Sequence, residues 1–209
     1  MNGSDGTALD RLRRARGISD AEEAREFYAR WAEHYEDDVY QALRVTGSEH
    51  VARLLKTHCP PRGDFAVLDA GCGTGMLGSL LRGIGYRFID GIDISPEMLA
   101  IARRKQVYRH LQEADLNQSF SAPERWYDAI VSAGTFVHGH VGAEGFRRLF
   151  AHLKPEGVMA CSISVPVWQS EAIPDLIAAL PADTLGNTIE SVIPGQPPDT
   201  HMLVLQQQG

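Results

Sequence analysis

The ten residues Ala66-Val67-Leu68-Asp69-Ala70-Gly71-Cys72-Gly73-Thr74-Gly75 constrain this chain more than any other segment. An apolar run of this kind reads as a strand buried on both faces of a parallel sheet. Asp69 falls near its carboxyl end, the edge where open α/β sheets collect their ligands. Gly71, Gly73 and Gly75 stand at alternate positions. They permit a tight turn with left-handed backbone and let a ligand approach without a Cβ in the way. The residues from Met76 to Leu81 then read as a helix whose first turn faces the same crevice.

The spacing separates two kinds of ligand. A dinucleotide-binding turn has the form Gly-x-Gly-x-x-Gly, with the pyrophosphate on the helix N-terminus. Here the third glycine comes one residue early and methionine occupies position 76. An acid inside the motif suits a ligand that brings a cation or hydroxyls rather than two phosphates. The string resembles motif I of the class I S-adenosylmethionine-dependent methyltransferases, hydrophobic-Leu-Asp-x-Gly-Cys-Gly-x-Gly. That resemblance implies contacts to the cofactor from Asp69, Gly71, Cys72, Gly73, Gly75 and Met76.

Composition narrows the partners. A chain of 209 residues with a formal charge of −7 has room for one core and lacks the basic face that nucleic acid or an anionic membrane requires. The one dense basic cluster, Arg11, Arg13, Arg14 and Arg16, is balanced by Asp20, Glu22 and Glu23 and reads as a solvated helix face. Cys59, Cys72 and Cys161 form no Cys-x-x-Cys pair and leave an odd count, which fits a reducing compartment. No run approaches the roughly 18 apolar residues of a membrane span, and the polar N-terminus has no signal-peptide core. A cytoplasmic location is expected.

Residues 1–18 read as polar and loosely docked. Asp20-x-x-Glu23 is a capping-box pattern, opening a helix that carries Phe27, Tyr28, Trp31 and Tyr35. A second helix is expected over Val39–Lys56, with Gly47 weakening its middle. Cys59-Pro60-Pro61-Arg62-Gly63 breaks the chain. The division expected is an N-terminal segment and helical lid over 1–58, followed by one compact unit over 59–209. In that unit strand and helix signals alternate, the mark of a parallel α/β sheet. Strands are expected near 65–70, 87–93, 109–114, 127–133, 157–164, 188–193 and 201–207. Helices are expected over 76–83, 96–107, 143–153 and 171–180. The methyltransferase resemblance implies a Rossmann-like seven-stranded sheet of order 3-2-1-4-5-7-6, with strand 7 antiparallel and helices on both faces.

Two further strand ends carry acids. In Asp90-Gly91-Ile92-Asp93-Ile94-Ser95-Pro96-Glu97-Met98, Ser95 reads as an N-cap and Pro96 as the first helical residue. Asp93 therefore projects beside the glycine loop, where a carboxylate can take both hydroxyls of a ribose. Met98 either packs its thioether on an adenine face or fills core. Past the third strand, Ala114-Asp115-Leu116 offers an acid for an exocyclic amine. After the fourth, Ser132-Ala133-Gly134-Thr135-Phe136 stands where adenine- and glutamine-methylating enzymes carry Asn/Asp-Pro-Pro-Tyr/Phe, which argues against those substrates. The resemblance implies that backbone near Ala133 and Gly134 underlies the cofactor's methionine end.

With Trp31-Ala32-x-x-Tyr35, Gly85-Tyr86, Val107-Tyr108 and Gly134-Thr135-Phe136-x-x-Gly139-His140-Val141-Gly142, the chain is similar to the Williams–Beuren-region methyltransferase-like proteins over residues 27–165. Ala29, and Lys154-Pro155-Glu156-Gly157 for Lys-Pro-Gly-Gly, depart from that pattern. The resemblance implies S-adenosylmethionine as cofactor, S-adenosylhomocysteine as product and no defined acceptor.

His138 and His140 follow the fourth-strand loop. Either is a candidate general base toward a substrate hydroxyl, amine or thiol; loop ordering is the alternative role. No nearby cysteine or carboxylate completes a metal set. Tyr28, Trp31 and Tyr35 either close the site, with cation–π attraction for a sulfonium, or pack their helix. Trp168 either lines the substrate mouth or fills core, and Cys72 reads as a small packing residue rather than a nucleophile. The function expected is methyl transfer to an oxygen, nitrogen or sulfur of a small molecule. A non-methylating or non-catalytic S-adenosylmethionine-binding protein and an NAD-dependent oxidoreductase are the alternatives. The oligomeric state is not legible.

Overall fold

A computed structural model describes residues 7–209. Seven strands form one sheet: β1 Ala66–Ala70, β2 Phe88–Asp93, β3 His110–Glu113, β4 Tyr127–Phe136, β5 Leu153–Ser164, β6 Ala182–Glu190 and β7 Thr200–Gln207. Their order is β3-β2-β1-β4-β5-β7-β6. Neighbours are parallel except β7, which runs antiparallel to β5 and β6. Pairing of Ala70 with Ile92 and of Asp93 with Glu113 aligns the carboxyl ends of β1, β2 and β3 along one edge.

Alternation along the strands feeds two cores. Leu68, Ile130, Met159 and Leu203 pack on one face with Phe146, Leu149 and Phe150 of α6 (Ala143–Ala151). Val67, Val131, Ala160 and Val204 pack on the other with α3 (Gly47–His58) and α4 (Met76–Gly83). Because both faces are covered, the central strands read as nearly continuous apolar runs. Val51 and Leu55 of α3 are fully buried against the sheet, so α3 packs directly on its face. At the start of α5 (Pro96–Arg104) the Ser95 hydroxyl accepts from the Met98 N–H at 3.2 Å, as expected of an N-cap ahead of proline.

Four segments differ from expectation. Residues 8–15 form a capped helix, α1 (Ala8–Ala15), and Ala15 and Ile18 are buried rather than loosely docked. The first six residues of that polar segment lie outside the described residues. The basic cluster is engaged: Arg11 pairs with Asp38, Arg16 with Asp199, and Arg14 lies over the Phe27 ring. The helix expected over 39–56 is two pieces. After α2 (Ala21–Glu36) the chain makes a π-helical turn, Asp37–Ala42, then reverses at Arg44 and restarts at Gly47, which opens α3 instead of weakening its middle. The helix expected over 171–180 is α8 (Ile173–Ala179), with Pro174 in its first turn, and an unexpected short helix, α7 (Val165–Ser170), precedes it across a left-handed Ala172. Finally, β6 begins six residues before the expected 188. Its register follows ladder hydrogen bonds to β7 at a solvent-facing edge, where hydrophobic periodicity carries no signal. No helix among the described residues is long and apolar enough to cross a membrane.

Candidate active site

The carboxyl edge of β1, β2 and β4 holds a pocket of about 650 Å³, roofed by Ala21, Ala24, Tyr28 and Tyr35 of α2. Its floor is the glycine turn. Gly71 has φ +72°, and a Cβ there would stand 2.1 Å from Oγ1 of Thr135. Only glycine admits that crossing of the β1 turn with the β4 loop. The Gly71 and Cys72 N–H groups donate to the Ile92 carbonyl at 2.8 and 2.9 Å, while Ser132 and Thr135 hydroxyls donate to the Ala70 carbonyl at 2.8 and 3.2 Å.

Asp93 is locked at the pocket wall. One oxygen accepts from the Gly73 N–H at 2.8 Å and the other from the Ser95 N–H at 2.9 Å. Burial still raises its carboxyl above the ordinary carboxylate range, against those hydrogen bonds. Ile94, Met98, Ala114 and Leu116 form an apolar wall beside it, and Asp115 stands at the far end with one oxygen accepting from the Asn117 N–H at 2.8 Å. Between Ser132 and Phe136 the β4–β5 pairing slips register, and the Gly134 N–H donates to the Ser162 hydroxyl at 2.9 Å. This irregularity turns Ala133 and Gly134 into the pocket, as bulges beside functional sites do.

His140 enters from the β4–α6 loop. Its Nδ1 lies 2.8 Å from the His138 carbonyl, an acceptor only, so Nδ1 carries the proton. Nε2, 3.1 Å from the Tyr28 hydroxyl, accepts from it. Burial lowers the His140 pKa and raises that of Tyr28, so the pair rests as neutral imidazole and phenol. Asn117 fixes the loop, donating to the His140 carbonyl at 2.6 Å and accepting from the Gly142 N–H at 3.2 Å. Gly139, at φ +73°, lies so near the link between α1 and α2 that a Cβ would stand 1.7 Å from the Ile18 carbonyl oxygen.

Tyr28, Tyr35, Gly71, Gly73, Asp93, Ile94, Met98, Ala114, Asp115, Leu116, Ala133, Gly134 and His140 thus share one pocket. Seven other candidates stand outside its lining. Asp69 is buried beneath the loop, one oxygen accepting from the Tyr108 hydroxyl at 2.7 Å and the other unpartnered. Burial pushes its carboxyl up to about 7, partly relieved by Tyr108 and aggravated by Asp93. Cys72 is buried behind the turn, its thiol raised by desolvation. Gly75 caps α4 against Tyr108 and Ala102, and Met76 begins that helix. Trp31 is turned away because its indole N–H donates to Asp38 at 2.6 Å, where Arg11 also donates to both carboxylate oxygens at 2.6 and 2.8 Å. His138 is exposed on the outer side of the loop, beside Ser19 and Asp20. Trp168 stacks on His201 at 3.9 Å and packs against the β5–β7 core.

Asn117, Tyr108 and Asp38 carried no assigned role in the sequence. The one available signal was Gly78, a glycine inside a helix that costs about 1 kcal/mol relative to alanine. Its Cβ would lie 2.3 Å from the Tyr108 phenol. Among the described residues no cluster of three or more His, Cys, Asp or Glu side chains is arranged to hold a metal ion.

A family model described as a methyltransferase domain matches residues 67–157, the stretch that builds β1 through the start of β5. Methyltransferase-like protein 27 of Homo sapiens is 32% identical over 152 residues, covering 72% of this chain and 61% of that protein. A dTDP-3-amino-3,6-dideoxy-alpha-D-glucopyranose N,N-dimethyltransferase of Streptomyces fradiae is 31% identical over 150 residues, 68% of this chain and 54% of that protein. The chain thus spans between half and two thirds of the length of these relatives. In fold, it resembles the Burkholderia thailandensis 1,6-didemethyltoxoflavin-N1-methyltransferase, solved with 1,6-didemethyltoxoflavin and S-adenosylhomocysteine. That likeness has a TM-score of 0.65 at 15% identity and covers 100% of this chain and 94% of that one. With the sheet order, the glycine turn and these relatives in agreement, the chain belongs to the class I S-adenosylmethionine-dependent methyltransferases.

Proposed function

We propose that this chain binds S-adenosylmethionine in the pocket under α2 and methylates an oxygen, nitrogen or sulfur of a small molecule. The observation that carries the reading is the charge of the lining. Two carboxylates, Asp93 and Asp115, face the pocket, and among the described residues no lysine or arginine lines it. Such a site favours a cationic ligand with hydroxyls and offers a pyrophosphate no cationic side chain. Asp93, with each oxygen already fixed by a backbone N–H, keeps lone pairs for a ribose diol. The free oxygen of Asp115 suits an adenine amine, and Met98, Ile94 and Leu116 suit the base. The Tyr28 and Tyr35 rings suit a sulfonium, with cation–π attraction of about 0.5–2 kcal/mol. Gly71, Gly73, Ala133 and Gly134 leave backbone open to the ligand.

When bound, S-adenosylmethionine supplies an activated methyl group. The protein's part is to align an acceptor, exclude water and take up the acceptor's proton. His140 is the group suited to the last task. Neutral, with its proton on Nδ1, it holds an unprotonated Nε2 that reaches the pocket through the Tyr28 hydroxyl. His138, exposed on the outer face, is suited to ordering the loop through its carbonyl. A small-molecule acceptor is supported by what the Streptomyces and Burkholderia proteins are named for and by the net charge of −7.

Calorimetry with S-adenosylhomocysteine and with NAD tests the cofactor: the former binds and the latter does not. Release of S-adenosylhomocysteine from S-adenosylmethionine is then measured with a small-molecule cell extract and, separately, with total RNA. Turnover with the small-molecule fraction alone is expected. Binding of NAD in place of S-adenosylhomocysteine, or turnover with RNA alone, overturns the reading.

A further inference from the structure

A second, partly open chamber lies against the first and shares Tyr28, Tyr35, Ala133 and Gly134 with it. We propose that this chamber receives the methyl acceptor, and that it selects a flat, uncharged aromatic compound bearing a hydroxyl. The proposal rests on the functional reading above and adds to it the place and chemical class of the acceptor.

Position comes first. An acceptor atom must approach the methyl group from the side opposite the departing sulfur, so the two ligands need adjoining spaces with a common opening. The shared wall is made of two tyrosines from α2 and two small residues from the irregular end of β4. Beyond it the chamber is walled by Trp31, Tyr40, Val39, Val45 and Val192. Flat aromatic faces and branched aliphatic side chains suit a planar apolar body.

Charge decides the class. Among the described residues Arg16 is the single charged one in the lining, and its guanidinium is already paired with Asp199 at 2.9 Å. Among the described residues no aspartate, glutamate or lysine lines the space. A cationic amine would lose its hydration there with no counter-ion to replace it. Neutral ligands carry no such cost.

The hydroxyl follows from the shared wall. Tyr28, part of that wall, spends its only proton on His140 Nε2, so toward any ligand its oxygen can only accept. It therefore selects a ligand that donates at the reacting atom, which an aromatic O–H does. Ser162 accepts from the Gly134 N–H, Thr200 donates to Asp199 and Ser48 pairs with Tyr40, so the polar groups these side chains bring to the wall are neutral hydroxyls.

The test uses 2-naphthol and 2-naphthylmethylamine, one ring system with a neutral hydroxyl or a cationic amine. Each is titrated against the wild-type protein by ligand-observed NMR, with and without saturating S-adenosylhomocysteine. 2-Naphthol is expected to bind, with the amine weaker by about tenfold or more. Gly47→Leu then narrows the chamber at a position outside the first pocket, where a new Cβ would meet Val192 at an ordinary 3.8 Å. It is expected to weaken 2-naphthol by about tenfold or more while the affinity for S-adenosylhomocysteine holds, which also reports an intact fold. Equal binding of amine and naphthol overturns the assignment, as does naphthol binding unchanged in Gly47→Leu. The charge comparison needs no variant and stands even if Gly47→Leu misfolds. Failure of S-adenosylhomocysteine to bind the wild type strikes the cofactor reading alone. Absent naphthol binding to protein that does bind S-adenosylhomocysteine strikes the chamber alone.

Discussion

Asp69 is a buried carboxyl only 1% exposed, with one oxygen satisfied by Tyr108 and the other by nothing. Replacing it with asparagine keeps the shape and removes the charge. A carboxyl that titrates near 3.8 in an unfolded chain and about 7 in the fold costs the native state about 4 kcal/mol once both forms are ionised. Between about pH 4 and pH 7 the native protein keeps a proton that the unfolded chain releases. Stability therefore falls as pH rises through that window and levels off above it. In Asp69→Asn the amide oxygen accepts from Tyr108, and the amide N–H₂ occupies the unpartnered side at a cost of about 1–3 kcal/mol. The variant should match the wild type near pH 5 and exceed it by about 1–3 kcal/mol at pH 8. For a chain of this size each kcal/mol moves Tm by about 2–4 °C. Urea or thermal denaturation of both proteins at pH 5, 6, 7 and 8, without ligand, reads the difference directly. Parallel stability curves across that range would show that Asp69 carries no raised pKa and refute the argument.

Three other outcomes are expected. Asp93→Ala removes charge-assisted acceptors of about 1.5–3 kcal/mol and should weaken S-adenosylhomocysteine roughly 10–150-fold by calorimetry; an unchanged dissociation constant would take Asp93 out of the site. Gly139→Ala forces a methyl group into the Ile18 carbonyl, so it should loosen α1 and α2 from the β4–α6 loop. Faster proteolysis within residues 8–36 and weaker S-adenosylhomocysteine binding are the readouts, and wild-type behaviour in both would refute it. Asp38→Ala removes the acceptor of the Trp31 indole N–H and one partner of the Arg11 guanidinium. It should lower stability by about 1–3 kcal/mol in denaturant melts. Because Arg11 holds the Asp38 carboxyl below the ordinary carboxylate range, the wild-type advantage should be full at neutral pH and shrink as pH falls through that lowered pKa; an advantage independent of pH in acid contradicts this.

What the sequence could fix by itself follows from local chemistry. The string from Ala66 to Gly75 specifies a strand, a turn and a helix through burial and backbone sterics, which depend on neighbours in the chain. Ser95-Pro96 likewise sets the start of α5, and the acids at positions 93 and 115 sit at strand ends because strand lengths are locally encoded. The sheet order came only with the family resemblance, since nothing local dictates which strand pairs with which. What tertiary structure decided are matters of distance across the fold. Asp69 and Asp93 look alike in sequence, yet one lies under the glycine turn against Tyr108 and the other faces the pocket. The same holds for His138 and His140, two residues apart, because the left-handed Gly139 turns one outward and Asn117 anchors the other inward. Trp31 and Tyr28 share a helix, but an aspartate presented by a π-helical turn draws the indole away while the phenol meets His140. In each case the deciding partner is distant in sequence or held by an irregular turn, and no periodicity of the chain announces it.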